Sequence, residues 1–285
     1  MNAESNKVLL LGIGETGLEV TQILGRNKVK GLVTCAIENE FGLKPLSTNA
    51  IGEEEIVIIV ADLGYRNENS LTIQASRLTK DQGKVVIAIL TTPRLFDGKK
   101  AIMRALETTR EIGNVVDSLL IINKETFTVL PENGCSFADL INSLVPEEEI
   151  IADSVQSIMN LIALAPKINI DLDDLKTTLS ESSTFTIASE FGAGENRVSD
   201  ALEAALSSPL MRTCDIYSSR NILLKLLVSD QTELSVEELS PLSQFLKRMP
   251  SHVDVKWGVA KSGALQGEVE LILLASGFDV QLPEK

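Results

Sequence analysis

The feature that most constrains the fold is an alternation of short apolar strands with amphipathic helices in the first half of the chain. Runs rich in Val, Ile and Leu are predicted to be strands at Lys7–Leu11, Leu32–Ile37, Ile56–Ala61, Lys84–Leu90 and Ser118–Ile122. Runs with helical spacing lie between them at Glu15–Gly25, Asn69–Asp81 and Gly98–Glu111. Apolar strands alternating with helices are typical of a parallel sheet covered on both faces. We therefore expect a Rossmann-like, doubly wound α/β domain over residues 1–145.

A long helix and a second, different domain are expected to follow. Pro146 and the three glutamates after it favour a helix start, and apolar residues at three- and four-residue intervals continue the helical pattern to Pro166. We expect this central helix at 146–166. Further strands are predicted at Thr184–Glu190, Asn221–Val228, Val253–Ala260 and Glu268–Ala275, with helices at Glu195–Leu206 and Ser235–Lys247. This order predicts an α+β domain over residues 167–285.

Composition excludes several classes of function. The chain has 26 basic and 40 acidic residues and a formal net charge of −14, which argues against binding to nucleic acid. The three cysteines are widely spaced and the single histidine, His252, has no cysteine or serine partner in a recognisable motif. We therefore expect no structural metal site, no disulfide framework and no Ser-His-Asp triad. No apolar run reaches the ~18 residues of a membrane span, and we expect a cytoplasmic protein.

A glycine motif follows the first predicted strand. Gly12, Gly14 and Gly17 form a GxGxxG pattern at the start of a predicted helix, where backbone N–H groups attract phosphate. Glu38 lies about twenty residues further on, where a dinucleotide-binding domain has a ribose-binding acid. The alternative is a tight turn without a ligand, and Glu15 places a carboxylate where a phosphate would approach. The motif alone leaves both alternatives open.

Later stretches resemble FtsZ, the bacterial relative of tubulin. Residues 168–175, which read INIDLDDL, resemble the synergy loop of that family. Gly192–Arg197 followed by Ser207–Leu210 resembles its SGENR…ISSPL stretch, and Thr92–Lys100 is similar to its T-x-P-F-x-F-E-G loop. These stretches occur in the family's order. The resemblance implies a tubulin/FtsZ-like fold with a nucleotide-binding domain, a central helix and a C-terminal activation domain.

The resemblance also implies a chemistry shared between subunits. In head-to-tail filaments of the family, GTP lies between subunits and the synergy loop of one acts on the nucleotide of the next. Asn169, Asp171 and Asp174 occupy the synergy-loop positions here, and a carboxylate there could orient water towards the terminal phosphate. Without the resemblance, Asp171 would be interpreted as the N-cap of a helix with acids in its first turn. Both interpretations can hold together.

The nucleotide-contacting segments depart from the family pattern. The glycine-rich signature loop aligns with Gly64–Ser70, which keeps one glycine and adds Tyr65 and Glu68. Glu148 stands near the position that recognises guanine, and the segment from Glu38 to Glu55 is much shorter than its counterpart. The resemblance leaves a degenerate GTP site whose candidate residues are Gly12, Gly14, Gly17, Gly64, Arg66, Asn123 and Glu148.

Three hypotheses follow. In the first, the protein binds no cofactor and is not an enzyme; it assembles with itself or docks head-to-tail onto a genuine FtsZ. In the second, it is a divergent GTPase that uses GTP with Mg²⁺ at a filament interface. In the third, it is a dinucleotide-dependent enzyme that uses the first glycine motif. The FtsZ linker and C-terminal peptide are not recognisable, so we expect no direct membrane binding.

Overall fold

A parallel sheet forms the centre of the N-terminal half of the chain. The structure, a computed structural model, describes residues 7–37, 51–127, 146–162, 170–180 and 182–278. Within these residues the sheet has the strand order β2-β1-β3-β4-β5, and all neighbouring strands are parallel. The strands are β1 (Val8–Ile13), β2 (Leu32–Ile37), β3 (Ile56–Asp62), β4 (Val85–Thr92) and β5 (Ser118–Asn123). The predicted doubly wound α/β architecture is confirmed.

Three helices pack on this sheet because its central strands are apolar on both faces. Every residue of β1 and of β3 is buried, so each face needs a covering layer. Residues of α1 (Gly14–Asn27), α2 (Arg66–Asp81) and α3 (Lys99–Gly113) supply it. Val20 and Leu24 of α1 are buried, as are Ala105 and Ile112 of α3. The strand order places the crevice between the carboxyl ends of β1 and β3, where connections leave towards opposite faces.

Helix α2 begins earlier than its apolar pattern predicts. The prediction starts at Asn69, whereas the helix starts at Arg66. Its first turn contains Arg66, Asn67 and Glu68, which are polar and therefore leave no periodic signal. The segment Gly64–Ser70, expected to be a phosphate-binding loop, is for the most part the first turn of this helix.

The central helix α4 (Glu147–Ile162) is present as predicted within the described residues. Three glutamates occupy its first turn, where the helix dipole favours negative charge. The chain divides into two compact units, Met1–Asp153 and Ser154–Lys285, so the division falls inside this helix. The sequence places the first boundary at residue 145, before the helix.

The second unit contains a mixed sheet with the strand order β6-β9-β7-β8. Strand β9 is antiparallel to both β6 and β7, whereas β7 and β8 are parallel. Its elements are α5 (Leu172–Ser180), β6 (Phe185–Gly192), α6 (Arg197–Ser207), β7 (Asn221–Ser229), α7 (Ser240–Arg248), β8 (Asp254–Ser262) and β9 (Val269–Ser276). The predicted α+β character is confirmed. In the described ranges, no helix has both the length and the apolar character needed to cross a membrane.

The Gly192–Arg197 stretch has a structural role in this unit. The Arg197 side chain is buried and binds the Glu238 carboxylate at 2.6 Å through Nε. Its remaining nitrogens donate to Thr232 Oγ1 and to the carbonyl oxygens of Glu233 and Gly267. Arg197 thereby fixes the start of α6 to the loops that follow β7 and precede β9.

Candidate functional site

A pocket of about 460 Å³ opens at the carboxyl ends of the parallel strands in the N-terminal unit. Ligands of doubly wound domains bind at this edge of the sheet. The first turn of α1, the segments after β3, β4 and β5, and the starts of α2, α3 and α4 all contribute to it. Its lining residues are Glu15, Thr16, Glu19, Asp62, Gly64, Tyr65, Glu68, Arg94, Asp97, Ala101, Arg104, Lys124, Glu147 and Glu148.

The pocket is strongly acidic. Among the described residues that line it, seven carry carboxylates and three carry a positive charge, namely Arg94, Arg104 and Lys124. A nucleotide triphosphate brings several negative charges, and like charges at short range repel. The charge of this lining therefore opposes the ligand that the glycine motif would attract.

In the glycine motif, Gly12 packs against Gly17, and Gly14 lies next to the carboxyl group of Glu68. Gly12 and Gly17 face each other so tightly that a side-chain methyl at either would collide with the backbone of the other. Gly14 has φ of 74°, a left-handed conformation that favours glycine, and a methyl there would overlap the carboxyl group of Glu68. The close approach expected of a phosphate is made here by a side chain of α2.

Glu68 lies among other carboxylates. Its pKa is raised to about 7, first by burial and then by the negative charges of Asp62 and Glu15. The backbone N–H of Glu15 acts as a hydrogen-bond donor to it and Lys124 attracts it, and both lower the pKa. The carboxyl group is therefore held at the positive end of α1, in an environment that disfavours its ionised form.

Lys124 connects the end of the sheet to the central helix. The side chain follows β5 directly, is 7% exposed, and binds Asp62 Oδ2 at 3.0 Å and Glu147 Oε1 at 2.6 Å. Asp62, the last residue of β3, also accepts a hydrogen bond from Thr91 Oγ1 at 2.9 Å. Burial alone would lower the pKa of Lys124, but the two carboxylates outweigh it and hold the pKa above its ordinary value.

Two arginines complete the polar contacts of the pocket. Arg94 Nη2 binds Glu147 Oε2 at 3.0 Å, so Glu147 is shared between Arg94 and Lys124. Burial would raise the pKa of Glu147, but these two cations outweigh it and hold the pKa below its ordinary value. Arg104 Nη2 donates to the Gly64 carbonyl oxygen at 3.5 Å. Arg94 and Lys124 are thus engaged by carboxylates, whereas Arg104 has only this long contact, and within the described residues the Nε atoms of Arg94 and Arg104 are buried without a hydrogen-bond partner.

The residues expected to contact a nucleotide are only partly brought together. Gly64 and Glu148 line the pocket, and burial raises the pKa of Glu148. Arg66 is exposed and is not part of the lining. Asn123 is also exposed, and its Oδ1 accepts the backbone N–H of Glu125 at 3.0 Å. Gly12 and Gly17 serve the packing of α1 on β1.

The synergy-loop aspartates cap a helix in the second unit. Asp174 N–H donates to Asp171 Oδ1 at 2.9 Å, and Asp171 N–H donates to Asp174 Oδ2 at 3.1 Å, the reciprocal arrangement of a capping box. Lys256 Nζ binds Asp174 Oδ1 at 2.6 Å. Burial would raise the pKa of Asp174, but Lys256 and the Asp171 amide outweigh it and lower the pKa. Asp171 is exposed, and Asn169 lies outside the described residues.

Sequence reasoning missed the residues that organise the pocket. Asp62, Arg94, Lys124 and Glu147 were not selected as site residues, and Glu68 was noted only for its charge. A signal was present, because Asp62 and Lys124 follow predicted parallel strands, whose carboxyl ends meet at one edge of the sheet.

The donor set does not fit a triphosphate with Mg²⁺. Two of its three cations, Arg94 and Lys124, are already paired with carboxylates, and the α1 amide end faces Glu68. Within the described part of the chain, no group of three or more His, Cys, Asp or Glu side chains has the geometry to hold a metal ion. We therefore derive no reaction step through GTP or Mg²⁺ at this pocket.

Solved structures of tubulin-like proteins share this fold. The empty FtsZ dimer of M. jannaschii matches with a TM-score of 0.79 at 20% identity, over 97% of this chain and 89% of that one. GDP-bound CetZ1 of Haloferax volcanii matches with a TM-score of 0.73 at 15% identity, over 97% and 96%. The GTPγS-bound CetZ2 protofilament of the same organism gives 0.69 at 14%, over 96% and 93%. The molecule has the tubulin/FtsZ fold.

Among proteins with this fold, the curated relatives that match this sequence are FtsZ proteins. The FtsZ of Porphyromonas gingivalis is 27% identical over 265 residues, covering 93% of this chain and 57% of that protein. The FtsZ of Pseudomonas aeruginosa is 26% identical over 286 residues, covering 99% and 68%. No family model matches the sequence. The chain is similar to these FtsZ proteins at 26–27% identity, and it spans little more than half the length of the first of them.

Proposed function

We propose that this chain is an FtsZ-like protein of the cytoskeletal or cell-division type that does not bind GTP in the way the family resemblance implies. It acts in the cytoplasm by assembling with copies of itself or by docking onto FtsZ filaments. The observation that carries the proposal is the charge of the pocket, in which carboxylates outnumber cations and already pair with two of the three, Arg94 and Lys124.

The energetics support the loss of ordinary nucleotide binding. Hydrogen bonds to a charged group contribute about 1.5–3 kcal/mol each. A triphosphate entering this pocket would have to break the contacts of Lys124 or Arg94 with Glu147 before it gained comparable ones. It would also be repelled by the carboxylates of Glu15, Glu19 and Asp97, which lower the affinity of the pocket for a triphosphate.

Two observations support assembly: a protein with this fold forms a protofilament, and the segment that resembles the synergy loop is exposed at Asp171. CetZ2, which shares this fold, is described as a protofilament. Asp171 is exposed at the start of α5, where a second molecule can reach it. In the proposed contact, this end of one molecule docks onto another copy or onto an FtsZ subunit.

A second candidate is a divergent GTPase, and the size of the pocket favours it. About 460 Å³ is within the range of pockets that hold small ligands, and the pocket lies where doubly wound domains bind nucleotides. In that case Arg94, Arg104 and Lys124 would exchange their present partners for phosphate groups.

Calorimetric titration of the purified protein with GTP and Mg²⁺ tests the proposal. We expect no heat of binding at millimolar nucleotide. Micromolar, guanine-selective binding would contradict the loss of GTP binding and favour the GTPase. ATP at the same concentrations is the control for binding without base selectivity.

A further inference from the structure

The carboxyl group of Glu68 occupies the amide end of α1. Glu68 belongs to the first turn of α2, yet its carboxyl group lies against the backbone at Gly14 and interacts with the N–H of Glu15. The first N–H groups of a helix have no partner within the helix and attract anions. The group that meets this end of α1 is therefore a carboxyl group of the protein itself.

The charges around Glu68 indicate that a specific interaction holds its carboxyl group at the start of α1. Asp62 and Glu15 repel its charge, and Lys124, which attracts it, already binds Asp62 and Glu147. A flexible glutamate that is repelled by its neighbours would turn to solvent unless the backbone compensated. The hydrogen bond from the Glu15 N–H at the start of α1 offsets part of this repulsion.

Gly14 makes the contact possible. Its backbone has φ of 74°, and a methyl group at this position would overlap the Glu68 carboxyl carbon and both oxygens. Gly14 thus leaves a space that the carboxyl group of Glu68 fills. A phosphate group approaching the same N–H groups would need the same space.

We propose that Glu68 is an autoinhibitory residue: its carboxyl group takes the place of an anionic ligand on the α1 amides and closes this end of the pocket to phosphate groups. The inference deepens the proposed function and rests on it for the class of ligand that is excluded. It makes a distinct claim, since it assigns the exclusion to one side chain rather than to the acidic lining as a whole.

The test compares Glu68→Ala with the matched control Glu19→Ala. Both variants remove one carboxylate from the pocket lining, but Glu19 is an exposed residue in the second turn of α1. The probe is inorganic pyrophosphate, titrated calorimetrically at constant ionic strength and pH. We expect Glu68→Ala to bind pyrophosphate about three- to tenfold more tightly than the wild type, as expected for an anion at a freed helix end. Glu19→Ala is expected to change affinity much less.

Two outcomes would overturn the inference: equal gains in both variants, which would assign the exclusion to net charge, or no gain in Glu68→Ala. Circular dichroism establishes that each variant is folded, and Glu68→Gln provides a near-isosteric second variant. In Glu68→Gln the charge is lost while the volume is retained, so we expect a gain smaller than that of Glu68→Ala. Tight GTP binding by the wild type would contradict the proposed function, whereas the comparison of the two alanine variants tests Glu68 independently.

Discussion

The charge of Glu68 couples the stability of the molecule to pH. Its pKa is raised from 4.5 to about 7, so between these values the folded protein holds a proton that the unfolded chain releases. The contribution of Glu68 to the free energy of unfolding therefore falls as pH rises from about 4.5 to about 7. The pKa is raised first by the burial of the carboxyl group and then by the negative charges of Asp62 and Glu15, whereas Lys124 opposes the rise.

Glu68→Gln should remove this dependence. Because glutamine cannot ionise, we expect the melting temperature of the variant relative to the wild type to increase between about pH 5 and about pH 8. Differential scanning fluorimetry across that range measures the difference. Glu19→Gln, which alters an exposed carboxylate of the same pocket, is the control. A difference that stays constant with pH would mean that Glu68 titrates at its ordinary pKa.

Lys124 is expected to matter more for stability than any other cation of the pocket. Lys124→Met would leave the Asp62 and Glu147 carboxylates buried without their shared cation, and breaking such a buried pair costs about 3–5 kcal/mol. Urea unfolding followed by far-UV circular dichroism measures this loss. Lys80→Met is the matched control, because Lys80 binds Asp117 at the same 2.6 Å but is 40% exposed. Its expected cost is about 1 kcal/mol or less, and equal costs would contradict the role of burial.

At the scale of elements, strands were easier to predict than the starts of helices. The predicted bounds of β2 agree with the structure, because a short β-branched run identifies a strand without reference to the rest of the chain. The start of α2 was predicted three residues late, because its first turn contains no apolar residue. That turn carries Glu68, whose contact with α1 depends on how β1 and β3 lie side by side. Local sequence contains no information about this pairing.

The start of α5 permits the structural and the functional roles of Asp171 to be separated. Asp171→Ala removes the oxygen that accepts the Asp174 N–H, and the loss of such a cap costs about 0.5–2 kcal/mol. Asp171→Asn keeps an accepting oxygen and removes only the charge, so we expect its stability to be close to that of the wild type. Chemical denaturation of both variants measures the difference. Equal destabilisation by both substitutions would indicate that the charge of Asp171, rather than its cap, stabilises the unit.

At the scale of the whole molecule, the fold was predictable from sequence, whereas the state of the pocket was not. The family motifs are spread along the chain and identify the tubulin/FtsZ fold, which the solved structures share. The pocket depends on Asp62, Lys124 and Glu147, and the first two are 62 positions apart in the sequence. A motif search detects only that glycines are missing from the family pattern, because such a network is formed by residues that are distant in the sequence.

If the carboxylates of the pocket exclude GTP, the association of this protein with itself should not depend on nucleotide. We expect sedimentation velocity to detect concentration-dependent association of the wild type that is the same with and without GTP and Mg²⁺. Asp171→Asn, which should retain the stability of the fold, is expected to weaken this association because it removes an exposed charge at the proposed contact. Association only in the presence of GTP would instead favour the divergent GTPase. If the protein is a monomer under all conditions, self-assembly is excluded and docking onto FtsZ filaments remains as the proposed interaction. Co-sedimentation of the protein with FtsZ filaments then tests whether that contact forms.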